Sequence, residues 1–109
     1  MILETYSATI AMELNIASAF VRNAVKLLEE GATIPFIARY RKEMTGSMDE
    51  TIITKIRDRL RHLKELDARR ETILKSLSEQ EKLTQELQEA VTNASTLSDL
   101  EDIFLPFKP

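Results

Sequence analysis

The side chains able to do chemistry in this 109-residue chain are almost all arginines, lysines and carboxylates. There is no cysteine, so thiol nucleophiles and disulfides are excluded. With a single histidine, a structural zinc site of ordinary ligand type cannot be assembled within one chain. Two glycines, Gly31 and Gly46, cannot write a Gly-rich phosphate loop. His62, with Asp58 one helical turn before it, is the one place where a Ser-His-Asp arrangement could be imagined. It sits between Arg61 and Lys64 on a helix flank, where a surface histidine is the expected reading. Glu29-Glu30 and Glu101-Asp102 are sequence neighbours that diverge on a helix and make no acid/base pair. No cofactor and no enzymatic activity are expected.

The cations are more informative. Arg39, Arg41 and Lys42 follow a short apolar stretch. Arg57, Arg61 and Lys64 stand at i, i+4, i+7, on one side of a helix, where they could neutralise phosphates. A solvated charge row is the competing reading. Arg59 and Arg70 fall instead on an apolar side, near Leu63, Leu66 and Ile73. A guanidinium there needs a partner, because burying an unpaired charge is costly. Asp67 lies three residues before Arg70. Glu101 and Asp102 are candidates for longer-range ion pairs tying the final segment to the long helix.

The elements that position these residues read as helices throughout. Two glycines and three prolines in 109 residues leave few turns. Leu3, Tyr6, Ile10 and Leu14 recur at helical spacing. Ser18 is a candidate cap for a second helix carrying Phe20, Val21, Ala24, Val25, Leu27 and Leu28, which Gly31 would end. Thr33 and Pro35 fit the first turn of a third helix with Phe36, Ile37 and Tyr40 on one side, ended by Thr45-Gly46. Ser47 with Glu50 reads as a capping box opening the longest helix, roughly 49–79, with the stripe Ile52, Ile56, Leu60, Leu63, Leu66, Ile73 and Leu77. Thr84 can start a shorter helix. Ser98 with Glu101 reads as a second capping box before Pro106 and Pro109. The expectation is an all-α domain over 1–109: five to six helices around one long central helix, with a helix-turn-helix-like element near residues 18–44. The long stripe exceeds what a small core needs, so exposed apolar surface and self-association are expected.

The formal charge is −3, but it is uneven. Residues 39–70 hold ten Lys/Arg against six Asp/Glu, +4, and the remainder carries −7. No secretory leader and no membrane span is visible, so a cytoplasmic location and no membrane partner are expected. The apolar run Ile103-Phe104-Leu105, close to a final Leu105-Pro106-Phe107-Lys108-Pro109, looks like a chain cut within a longer protein.

The run Gly31-Ala32-Thr33-Ile34-Pro35-Phe36-Ile37-Ala38-Arg39-Tyr40-Arg41-Lys42-Glu43, with Thr45-Gly46 and Asp49-Glu50, resembles the N-terminal signature of the bacterial Tex (YhgF) family of transcription accessory proteins. Leu66, Arg69-Arg70, Ile73-Leu74, Gln80, Lys82-Leu83-Thr84, Glu86-Leu87, Leu100-Glu101-Asp102 and the closing Leu105 to Pro109 extend the likeness over essentially the whole chain. Glu81 stands where the family usually has glycine. Phe104 and Phe107 stand where tyrosine is common. The resemblance implies a large modular protein, with an RNase H-like domain, helix-hairpin-helix motifs and an OB-fold RNA-binding domain following this region as intramolecular partners. Nucleic acid would be bound by the full-length protein, mainly at its C-terminal domain. For this chain it implies a non-catalytic helical scaffold or docking module. The alternative is an independent helix-turn-helix DNA/RNA-binding unit using Arg39, Arg41 and Lys42.

Overall fold

The computed structural model describes residues 2–109, and the described residues form seven α-helices, one 3-10 turn and no strand. The helices are α1 (Ile2–Leu14), α2 (Ser18–Glu29), α3 (Ile34–Tyr40), α4 (Lys42–Thr45), α5 (Glu50–Glu79), α6 (Gln85–Asn93) and α7 (Leu97–Phe104), followed by the 3-10 turn Leu105–Phe107. The chain divides into two compact units, Met1–Leu63 and Lys64–Pro109.

The first unit contains α1 to α4 and the N-terminal part of α5. Its core is built from Tyr6, Ile10, Val21, Val25, Ile37, Ile53, Ile56 and Leu60. Every four-residue step in that set repeats a helical face, so the periodicity in the sequence translates directly into burial. The second unit contains the rest of α5 with α6 and α7. Leu66, Ile73, Leu77, Val91, Leu100 and Phe104 fill its core. The 30-residue length of α5 thereby finds its explanation, since its stripe supplies residues to two cores and not one. Ile56, Leu60, Leu63, Leu66, Ile73 and Leu77 are all buried. The stripe is not left open for a second copy to cover.

Helix ends follow local hydrogen bonding, and here the structure departs from the expected caps. Ala17, not Ser18, precedes α2, with no side-chain bond at that end. Asp49, not Ser47, caps α5: its carboxylate accepts from the Ile52 N–H at 2.9 Å, while Ser47 takes a positive φ of 63°. Thr96, not Ser98, caps α7 by accepting from Asp99 N–H. Thr33 and Thr84 cap α3 and α6 as the sequence predicts. At α5 and α7 the cap is a neighbouring residue of equal capping chemistry two positions away.

The third expected helix is two. It breaks at Arg41 (φ −129°, ψ 33°) before α4, and Gly46 closes α4 at φ +66°. A Cβ at Gly46 would stand 2.7 Å from the Phe20 ring, so that close approach needs glycine twice over. Asn23 Nδ2 donates to Met44 O at 2.8 Å and fixes α4 to α2.

Candidate nucleic-acid interface

The two arginines expected on an apolar side are both partnered, Arg70 by Asp67 as the spacing suggests and Arg59 by a carboxylate that the spacing does not reach. Arg59 donates from Nε and Nη2 to the two Glu13 oxygens at 2.7 and 2.8 Å, a bidentate bridge to α1 and not to the final segment. That bond is the main reason the Glu13 carboxyl lies below its usual range. Arg70 pairs with Asp67. It also donates from Nε to Val91 O at 3.0 Å and from Nη2 to Ala94 O at 2.7 Å. These carbonyls lie at the C-terminal end of α6, which lacks onward helical donors and carries the negative end of the helix dipole. The guanidinium is therefore a helix stop as much as an ion pair.

Glu101 is held by Arg69 instead of Arg70, with bonds of 2.7 and 2.8 Å, and by Lys108 Nζ at 3.3 Å. Arg69's hydrogen bond, more than any other influence, draws the Glu101 carboxyl down to about 2. Asp102 is exposed and makes no ion pair among the described residues, so it has no part in that connection. Asp58 accepts from Arg57 Nε and Nη2 and does not orient His62. Among the described residues no group of three or more side chains could hold a metal ion.

Arg57, Arg61 and Lys64 lie along α5, with Arg61 and Lys64 exposed and Arg57 engaged by Asp58. Lys64 begins the second unit.

The surface of α3 and α4 is different in kind. The sequence put Phe36, Ile37 and Tyr40 on one side. Ile37 is fully buried, while Phe36 and Tyr40 point outward, 38% and 61% exposed. Residues 36 and 40 are one turn apart and share a face, and the buried residue between them lies about 100° round the helix. Their ring centroids are 5.4 Å apart at an interplanar angle of 50°. The Arg41 guanidinium lies 4.7 Å above the Phe36 ring and donates from Nη1 to Tyr40 O at 2.9 Å. Arg39 to Met44 line a shallow depression beside these rings. No carboxylate is paired with Arg39, Arg41 or Lys42 among the described residues. Periodicity on a seven-residue helix cannot say which face is outward, and the aromatic pair was therefore hidden in the sequence.

An all-α module with an exposed aromatic–basic face is the class these features define. Residues 4–78 match the model of the Tex-like protein N-terminal domain, and the chain belongs to that family. It is 47% identical over 106 residues to Protein YhgF of Escherichia coli, covering 97% of this chain and 14% of that protein. It is 43% identical over 100 residues to the Transcriptional accessory protein Tex of Neisseria gonorrhoeae, covering 92% and 13%. A more distant relative is the human S1 RNA-binding domain-containing protein 1, 28% identical over 94 residues, covering 86% and 9%. The chain thus spans roughly a seventh of the length of the bacterial relatives it matches.

Proposed function

We propose that the chain is a non-catalytic N-terminal module of a cytoplasmic transcription accessory protein, serving as a helical scaffold that docks domains lying elsewhere in the full-length polypeptide. The observation that carries this reading is where the reactive side chains go. Arg59, Arg69, Arg70, Glu13 and Glu101 are spent on bonds between helices or to helix ends. The family and the small share of the relatives' length agree with a module that works through neighbours. No helix among the described residues is long and apolar enough to cross a membrane.

The test is association in trans. The 109-residue chain is titrated calorimetrically into Escherichia coli YhgF lacking its matched N-terminal region. Saturable heat at one-to-one stoichiometry is expected, and its absence at tens of micromolar overturns the docking role.

A second reading, a helix-turn-helix unit that reads duplex DNA, is favoured by the α2–turn–α3 succession and by Arg39, Arg41 and Lys42. Its weakness is the outer face of α3, where two rings stand in place of the polar side chains that read base edges.

A further inference from the structure

Two arginines in this chain lie over aromatic rings, and they are used differently. Arg69 lies 5.5 Å above Phe104, a buried ring, and is bound to Glu101 on both sides of its carboxylate. Ring, cation and counter-charge complete one another there, and nothing is left over. Arg41 lies above Phe36, a ring that faces solvent, and has no carboxylate. Tyr40, one turn on, is the most exposed ring in the described residues, and Arg39 and Lys42 flank it without counter-charges.

From this we propose that the α3–α4 face binds single-stranded nucleic acid, with bases stacking on Tyr40 and on the Phe36–Arg41 pair and phosphates meeting Arg39 and Lys42. The inference is independent of the docking role. Charge complementarity selects the occupant. Three cations with one acid, Glu43, within residues 39–43 ask for a polyanion, and flat exposed rings beside them ask for flat partners. A polyanion that carries flat groups at regular intervals is a nucleic-acid strand with its bases unpaired. A duplex hides those faces inside its own stack, so it would offer only phosphates here. Arg41 is pre-organised for this role: its ring contact and its bond to Tyr40 O hold the guanidinium plane in place before any ligand arrives. The stacking and phosphate chemistry does not depend on the sugar, so RNA and DNA strands should both bind.

The experiment uses the 109-residue chain and end-labelled oligo(U) and oligo(dT) of about 12 nucleotides, read by fluorescence anisotropy. Salt is varied from about 25 to about 200 mM, over which phosphate contacts weaken steeply. Single strands should bind more tightly than a duplex of equal length. Tyr40→Ala should weaken binding about tenfold, and Tyr40→Phe, which keeps the ring, should restore it. Arg39→Ala with Lys42→Ala should flatten the plot of log affinity against log salt by about 1.4, the slope expected for two phosphates on a single strand. All three positions are exposed, and unchanged circular dichroism would confirm that the variants fold. Absence of binding at the lowest salt, preference for duplex, or indifference to Tyr40→Ala would each overturn the proposal. So would loss of association with truncated YhgF on Tyr40→Ala when no oligonucleotide binds, since that would make the patch a protein-docking face.

Discussion

Arg70 shows how much a single side chain can be asked to do. It is largely covered, bonds to Asp67, and donates to two carbonyls at the end of α6. Arg70→Met keeps most of the apolar stem but strands both carbonyls. Leaving buried acceptors unsatisfied costs about 1–3 kcal/mol, so a loss of about 2 kcal/mol is expected in chemical denaturation. An unchanged midpoint would show that water replaces the guanidinium without penalty. Glu101 makes a second prediction, about pH. Its carboxyl falls from a usual 4.5 to about 2 in the folded chain. The carboxylate's contribution to stability is therefore fully present above pH 4.5 and fades as pH drops toward 2. A carbon-detected titration of Glu101 should show a midpoint near 2, and a midpoint near 4 would mean that Arg69 and Lys108 are not holding it. The bridge itself is solvent-exposed, so its effect on overall stability is small. Neither arrangement was fully legible in the sequence. Spacing told that Arg59 and Arg70 needed partners, but Glu13 lies 46 residues from Arg59, and no local rule reaches that far.

At the scale of elements, the positions of the helices were readable and their ends less so. Long periodic stretches such as α1 and α5 repeat their apolar face many times, which fixes both type and extent. Ends depend on one or two hydrogen bonds, and where Ser95, Thr96 and Ser98 crowd together several caps compete. The C-terminal end of α5 carries the clearest local conflict. Glu81 adopts φ 57°, a left-handed conformation that glycine takes at no steric cost. The chain still completes the stop, with Lys82 N–H donating to Leu77 O at 2.9 Å. Glu81→Gly should accordingly stabilise the chain by about 0.5–1 kcal/mol, despite the extra freedom it gives the unfolded state. Denaturant unfolding of the two forms side by side measures this, and a destabilised variant would show that the Glu81 side chain contributes something that outweighs its backbone strain. The short α3 sits at the other extreme. Seven residues give too few repeats to orient it, and the exposure of Phe36 and Tyr40 emerged only from packing.

For the whole molecule, the main departure from the sequence reading is the division of the stripe on α5 between two cores. Each core has its own partners: α1 to α4 for one, α6 and α7 for the other. A cavity made in one should be felt chiefly by its own helices. Leu100 is fully buried in the second core, and Leu100→Ala should cost about 2–5 kcal/mol. Amide hydrogen exchange should then lose protection mainly over Lys64–Pro109, with α1 and α2 retaining theirs. Uniform loss along the chain would mean that the two units unfold as one.

The placement of the two tyrosines has an optical consequence. The chain has no tryptophan, so emission excited beyond the phenylalanine absorption band comes from Tyr6 and Tyr40. Tyr6 is 7% exposed, and Tyr40 stands out in solvent. A collisional quencher such as acrylamide would thus darken one emitter and largely spare the other. The quenchable fraction of the light would report on the α3 surface, with no label attached, while the shielded remainder would report on the integrity of the core around α1.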